Sequence, residues 1–180
     1  MKYACVFCLF ATLVIAAPTD KVLDLYHKQD YKNACLEGAK IVRDHKNDDL
    51  FVNAFGIACL ESDFIDFAGM AGLYLRASSS SRQNASYILT VVLQKKLLYH
   101  ALADNVDLSD TKLPDTPHIL SRVFNAYVEG NYTKDAKGVM TITLDNNHIA
   151  TLDSLREGGH FKVRIRQYEK GKMLNEHLYW

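Results

Sequence analysis

The chain of 180 residues contains only 3 prolines and 9 glycines, which excludes collagen-like and linker-dominated architectures. It carries no excess of either charge, with 21 Lys and Arg against 21 Asp and Glu. Without a cationic surplus it lacks what a dedicated nucleic-acid binder uses to displace counterions from phosphates, so no nucleic-acid partner is expected. Hydrophobic residues at 48% and charged residues at 23% are globular values, which excludes a mostly disordered chain. Signatures of common chemistries are also missing: there is no HExxH, no GxSxG, no glycine-rich phosphate loop and no dinucleotide fingerprint. Of the seven histidines, none is spaced as a metal pair with a carboxylate or thiol, so neither a metal nor a cofactor is expected. Gly158-Gly159-His160 reads as a turn and not as a catalytic loop.

What is present begins with an address. Residues 1–16 hold one lysine, an apolar core from Tyr3 to Ile15, and small residues at the end, the layout of a secretory signal peptide. Cleavage is expected after Ala16, because a cut after Ala17 would place Pro18 next to the scissile bond. The competing reading is an uncleaved membrane anchor, although the run is shorter than the roughly 20 residues of a spanning helix. No later stretch is apolar enough to span a bilayer, so no stable membrane span is expected after cleavage. The chain is therefore read as exported, to a bacterial periplasm or as a secreted protein. Cleavage removes Cys5 and Cys8 and leaves Cys35 and Cys59, which in an oxidising compartment pair as one disulfide or remain buried as small apolar side chains.

From Asp20 to about Ala77 apolar residues recur at helical spacing in four short segments. Tyr31 and Ile65, Ala34 and Ala68, Ile41 and Leu75, and Leu25 and Cys59 are each 34 residues apart. Gly56 stands early enough in its helix to allow a close approach, whereas the first unit has Val22 there. On these residues the region resembles the tetratricopeptide repeat, whose period is 34. A plain helical bundle is the alternative. The resemblance implies stacked antiparallel hairpins, with Cys35 early in one helix and Cys59 late in a neighbour, close enough to bond. Closing a loop of about 25 residues would stabilise such a short array by about 3 kcal/mol.

Residues 82–104 read as the longest helix, with Ser81 as N-cap, and Thr116-Pro117 reads as the start of another helix ending at Val128. Beyond Gly130 the period changes to alternation. Met140, Ile142 and Leu144, then Phe161, Val163 and Ile165, describe three or four antiparallel strands whose apolar face the preceding helix would cover. The expected fold is α+β, divided into a leader at 1–16, a helical tetratricopeptide-like region at 17–130 and an antiparallel β module at 131–180. The Lys162, Arg164 and Arg166 stripe is either a site for an anionic partner or the solvated face of the sheet. Two sequons occur, at Asn84 and Asn131. Asn131 follows Glu129 in an expected loop and is the better acceptor, given a host that N-glycosylates.

The resemblance implies a non-enzymatic scaffold or adaptor that presents a concave surface to a protein or peptide partner, with envelope assemblies as a typical setting. Tyr26, Asn53 and Ile57, on first-helix faces, are the expected partner contacts. A cell-envelope hydrolase with an unrecognised site is the alternative, and a deep pocket holding a histidine beside a carboxylate would favour it. A third role is a structural subunit whose sheet edge pairs with a copy of itself.

Overall fold

The computed structural model describes residues 17–180, so the expected leader, with Cys5 and Cys8, lies outside the described residues. Six helices precede a five-stranded antiparallel sheet, an α+β arrangement. The helices are α1 (Pro18–His27), α2 (Tyr31–Ile41), α3 (Asp49–Glu61), α4 (Ile65–Tyr74), α5 (Ser79–Asp104) and α6 (Ile119–Val128). The strands are β1 (Thr133–Lys134), β2 (Met140–Thr143), β3 (His148–Glu157), β4 (His160–Glu169) and β5 (Lys172–Tyr179), and they form a simple meander.

Side-chain oxygens set several helix starts. The Asp30 carboxylate accepts the Asn33 N–H, and Asp48 accepts the Phe51 N–H at 3.1 Å. Two starts differ from the sequence reading. Helix α5 begins at Ser79 with Ser78 as its cap, accepting the Ser81 N–H at 3.0 Å. Ser81 is fully buried and its hydroxyl is committed to Asp49, so it is a packed residue of the first turn and not the cap. Helix α6 is capped by His118, whose Nδ1 accepts the Leu120 N–H at 3.2 Å. Thr116 is excluded from that role because it lies outside the helix, its own N–H donating to Ser121 Oγ at 3.1 Å.

Helices α1/α2 and α3/α4 form two hairpins whose turns match atom for atom at an offset of 34 residues. Gln29 and Asp63 both adopt the left-handed conformation, with φ of 59° and 64°. In the first turn Lys28, Gln29 and Asp30 donate their N–H groups to Asp24, Tyr26 and Leu25 carbonyls. In the second, Ser62, Asp63 and Phe64 donate to Ala58, Leu60 and Cys59. The packing repeats as well. A Cβ on Gly38 would lie 2.5 Å from the Phe55 ring, and one on Gly72 would lie 2.7 Å from Leu89 Cγ, so each second helix presses its glycine onto the next first helix. By this equivalence the N-terminal half of α5 occupies the place of a third first helix. Gly56 serves a similar close approach, with Ala71 and Ile88 under 3 Å from where a Cβ would stand. Cys35 on α2 and Cys59 on α3, both fully buried, are joined in a disulfide with Cα atoms 4.8 Å apart.

Helix α5 then carries the chain from the hairpins to the sheet. Lys95, buried along it, is held by Asp66 of α4 at 2.7 Å, and Tyr99 meets Phe161 of β4 edge-on at 5.1 Å. It is thus the C-terminal half of α5, more than α6, whose backbone lies against the sheet. Met140, Ile142, Ala150, Leu152, Val163, Ile165 and Tyr179 form the buried face. The tight turns Gly158-Gly159 and Lys170-Gly171 have positive φ at both positions, as two-residue hairpin turns require. The register slips within β5, where Met173 pairs with Tyr168 but Asn175 pairs with Gln167, leaving Leu174 as an extra residue. That bulge disrupts the outer edge of the sheet and works against self-pairing there.

Candidate functional site

The first helices α1, α3 and α5 pack side by side, while α2 and α4 make far less contact with each other, so the first-helix faces form the inner row. Asn53, Ile57 and Glu61 follow one another at one-turn spacing along α3, and Asn84 and Tyr87 face them from α5. Asn53 accepts the Asn84 amide at 2.8 Å and donates to the Asp49 carbonyl at 2.8 Å. Its polar head is therefore spent on holding α3 to α5. Tyr26 on α1 packs against Tyr31 with centroids 5.7 Å apart and the rings tilted by 59°, and Ile57 is half-buried against the core. The three residues expected from sequence thus share the inner row, each half-buried, with the Asn53 amide already engaged by Asn84 and the Asp49 carbonyl.

This row leads into a cleft of about 560 Å³ at the junction of helices and sheet. Leu60, Glu61, Tyr87, His118, Arg122, Gln167 and His177 are among its walls. A second hollow of about 450 Å³ continues from it, sharing Tyr87 and Pro117. The far wall is the connector 105–118, pinned to α5 by buried Gln94, which donates to the Pro114 carbonyl at 3.3 Å.

At the back of the cleft the helical turn grips the last strand. Asp63 accepts His177 Nδ1–H, 2.9 Å from each carboxylate oxygen, and the Tyr179 hydroxyl at 3.0 Å. The Gln167 amide lies 2.9 Å from His177 Nε2, so both ring nitrogens are engaged. Burial pushes the Tyr179 hydroxyl well above its ordinary pKa, with the Asp63 charge adding to the shift, so it stays a neutral donor. His118 is held below the ordinary histidine value by burial, against the raising effects of a backbone hydrogen bond with Leu60 and the charge of Asp63. Tyr87 is raised by burial and then by Glu61, and Tyr26 is raised by burial, then by Tyr31 and Glu61. Glu61 has no ion-pair or hydrogen-bond partner among the described residues, so its field acts on both rings.

Asp63, His118, His177 and Tyr179 were not singled out in the sequence. The available signal was partial: Asp63 matches Gln29 at the 34-residue offset, and His177 and Tyr179 alternate on one strand face. The remaining sequence features separate cleanly. Lys162 pairs with Glu157 at 2.6 Å and lies over the Trp180 ring at 4.8 Å. Arg164 grips Asp153 through two bonds of 2.8 and 2.6 Å, and Arg166 meets Glu176 at 2.9 Å. The stripe is thereby neutralised within its own sheet. Asn131 is exposed in the loop after α6, its amide donating to the Glu129 carboxylate at 2.8 Å, whereas Asn84 is half-buried in α5 with its amide donating to Asn53.

Among the described residues no helix is long and apolar enough to cross a membrane, and no group of three or more His, Cys, Asp or Glu is placed to hold a metal ion. Compared with known proteins, the chain matches no family model, no curated protein and no solved structure.

Proposed function

We propose that this chain is an exported, non-enzymatic scaffold or adaptor whose tetratricopeptide-like hairpins receive an extended segment of a protein partner, in an envelope assembly of a bacterial periplasm. The observation that carries the reading is the inner row of first helices opening into the cleft, with the uncompensated Glu61 standing near the rings of Tyr26 and Tyr87. An extended segment would lie along Tyr26 and Ile57 and turn past Glu61 into the cleft. Export is supported by the leader-like residues 1–16 and by the disulfide, a bond typical of oxidising compartments.

The cleft also contains a histidine beside a carboxylate, the arrangement that a hydrolase would use. Here Asp63 and Gln167 occupy both nitrogens of His177, and no serine, threonine or cysteine lines the part of the cleft around it, the hydroxyls of Ser86, Thr90 and Thr116 belonging to the adjoining hollow. The pair serves as a clamp between turn and strand, which favours the scaffold.

The test is site-specific photo-crosslinking in the native host, with the reactive group at position 61 and, for comparison, at exposed Leu73 on α4. A discrete adduct is expected from position 61 and not from position 73. The captured partner should then lose at least tenfold in affinity for Glu61→Arg and keep full affinity for Leu73→Arg. Equal adducts from both positions, or an unchanged affinity of Glu61→Arg, would overturn the proposal.

A further inference from the structure

A cavity of about 520 Å³ lies between the end of α5, α6 and strands β1–β4, and it shares no lining residue with the groove. Several charged heads elsewhere on the sheet are paired, among them Lys162 with Glu157, Arg164 with Asp153 and Arg166 with Glu176. Here Asn105, Tyr127, Tyr132, Lys134, Lys137 and Ser154 converge on one hollow, and none of these side-chain heads has a hydrogen-bond or ion-pair partner among the described residues. We propose that this cavity binds an acidic sugar unit, a pyranose ring carrying a carboxylate.

Three features select that chemistry. Tyr127 and Tyr132 are stacked in parallel, with centroids 5.8 Å apart and planes 7° from coincidence, which makes a rigid platform. The apolar face of a pyranose, lined with C–H groups, fits the electron-rich face of such a ring. Asn105, Ser154 and the two phenols offer neutral donors and acceptors suited to vicinal hydroxyls. Burial raises the Tyr127 pKa, which keeps its hydroxyl protonated as a donor. Within the lining Asp153 is matched by Arg164, so Lys134 and Lys137 add two positive charges there, with Asp135, held by the Lys137 and Val139 N–H groups, and Asp107, whose charge bears on Tyr127, standing outside it. An anion on the sugar supplies the missing partner.

The experiment titrates the uniformly ¹⁵N-labelled mature chain with digalacturonate, maltose, sodium sulfate and uridine monophosphate, reading amide shifts by NMR. Digalacturonate is expected to give saturable shifts confined to residues around Tyr127, Tyr132 and Ser154, with maltose at least tenfold weaker. The double variant Lys134→Ala/Lys137→Ala, altered only at exposed positions, should lose at least tenfold in affinity while keeping the wild-type spectrum elsewhere. Equal binding of maltose would refute the acidic requirement, and equal shifts from sulfate would reduce the site to a simple anion contact. Tighter binding of the nucleotide, or an unaffected double variant, would overturn the assignment as well. None of these outcomes bears on the groove, because the two sites have no residue in common.

Discussion

The two hairpins have the same turn and use it differently. Gln29 and Asp63 occupy the same left-handed position, held by the same three backbone hydrogen bonds. Gln29 is exposed, whereas Asp63 gathers His177 and Tyr179 from a strand more than a hundred residues away. The two turns thus share one backbone geometry, and one side-chain difference at the matched position turns a plain turn into the joint between helices and sheet. Asparagine and aspartate tolerate positive φ better than most residues, so the turn accommodates the carboxylate at little conformational cost.

The most disruptive way to break this comparison is to release the hairpins from each other. The disulfide bridges α2 of the first to α3 of the second across a sequence separation of 24. Replacing both cysteines with alanine should cost about 3 kcal/mol by the loop-closure argument. In thermal unfolding that corresponds to a fall of roughly 10 °C for a chain of this size. The reduced wild-type chain should show a similar fall. An unchanged melting temperature in both would mean that packing such as that of Gly38 on Phe55 holds the seam unaided.

Much of the helical half was legible in the sequence for a physical reason. A 34-residue echo records contacts local to one hairpin and its neighbour, and the residues that make them, such as Ala34 and Ala68, recur visibly. Period alone also marked the change from helix to strand near Gly130. The helix starts were less legible, because Ser78 and Ser81 are equally good caps by composition and only the burial of Ser81 decides between them. The joint was the least legible part, with only the Asp63 match to Gln29 and the alternation of His177 and Tyr179 to hint at it. It depends on the sheet docking so that alternate residues of β5 reach Asp63, a register that no local pattern encodes. Nor was it legible that the Asn53 amide ties α3 to α5 through Asn84.

The comparison is sharpened by matched substitutions at the two turns. Asp63→Ala leaves the buried Tyr179 hydroxyl and the His177 N–H without their acceptor, and should cost about 2–3 kcal/mol. Gln29→Ala removes no tertiary bond and should stay within about 0.5 kcal/mol, apart from the shared strain of positive φ. Urea denaturation of both variants gives the two values directly. Equal losses would show that the turn conformation, and not the carboxylate, carries the cost.

The smallest effect is a dependence on pH that belongs to the second hairpin alone. Burial lowers the His118 pKa in the folded chain, where its ring caps α6 and meets the Leu60 backbone at the end of α3. The unfolded chain therefore binds the proton more readily, and stability rises with pH between the folded value and about 6.5, the unfolded one. The contribution is fully present above about 6.5 and is lost as pH falls toward the folded pKa. Facing groups bear on this: Asp63 raises the His118 pKa and His177 lowers it, both less than burial does. His118→Asn keeps an acceptor for the Leu120 N–H and removes the titration. Unfolding free energies measured from pH 7 to pH 5, above the range where most carboxylates protonate, should fall less steeply for the variant. Parallel curves would place the acid sensitivity elsewhere and leave His118 as a cap only.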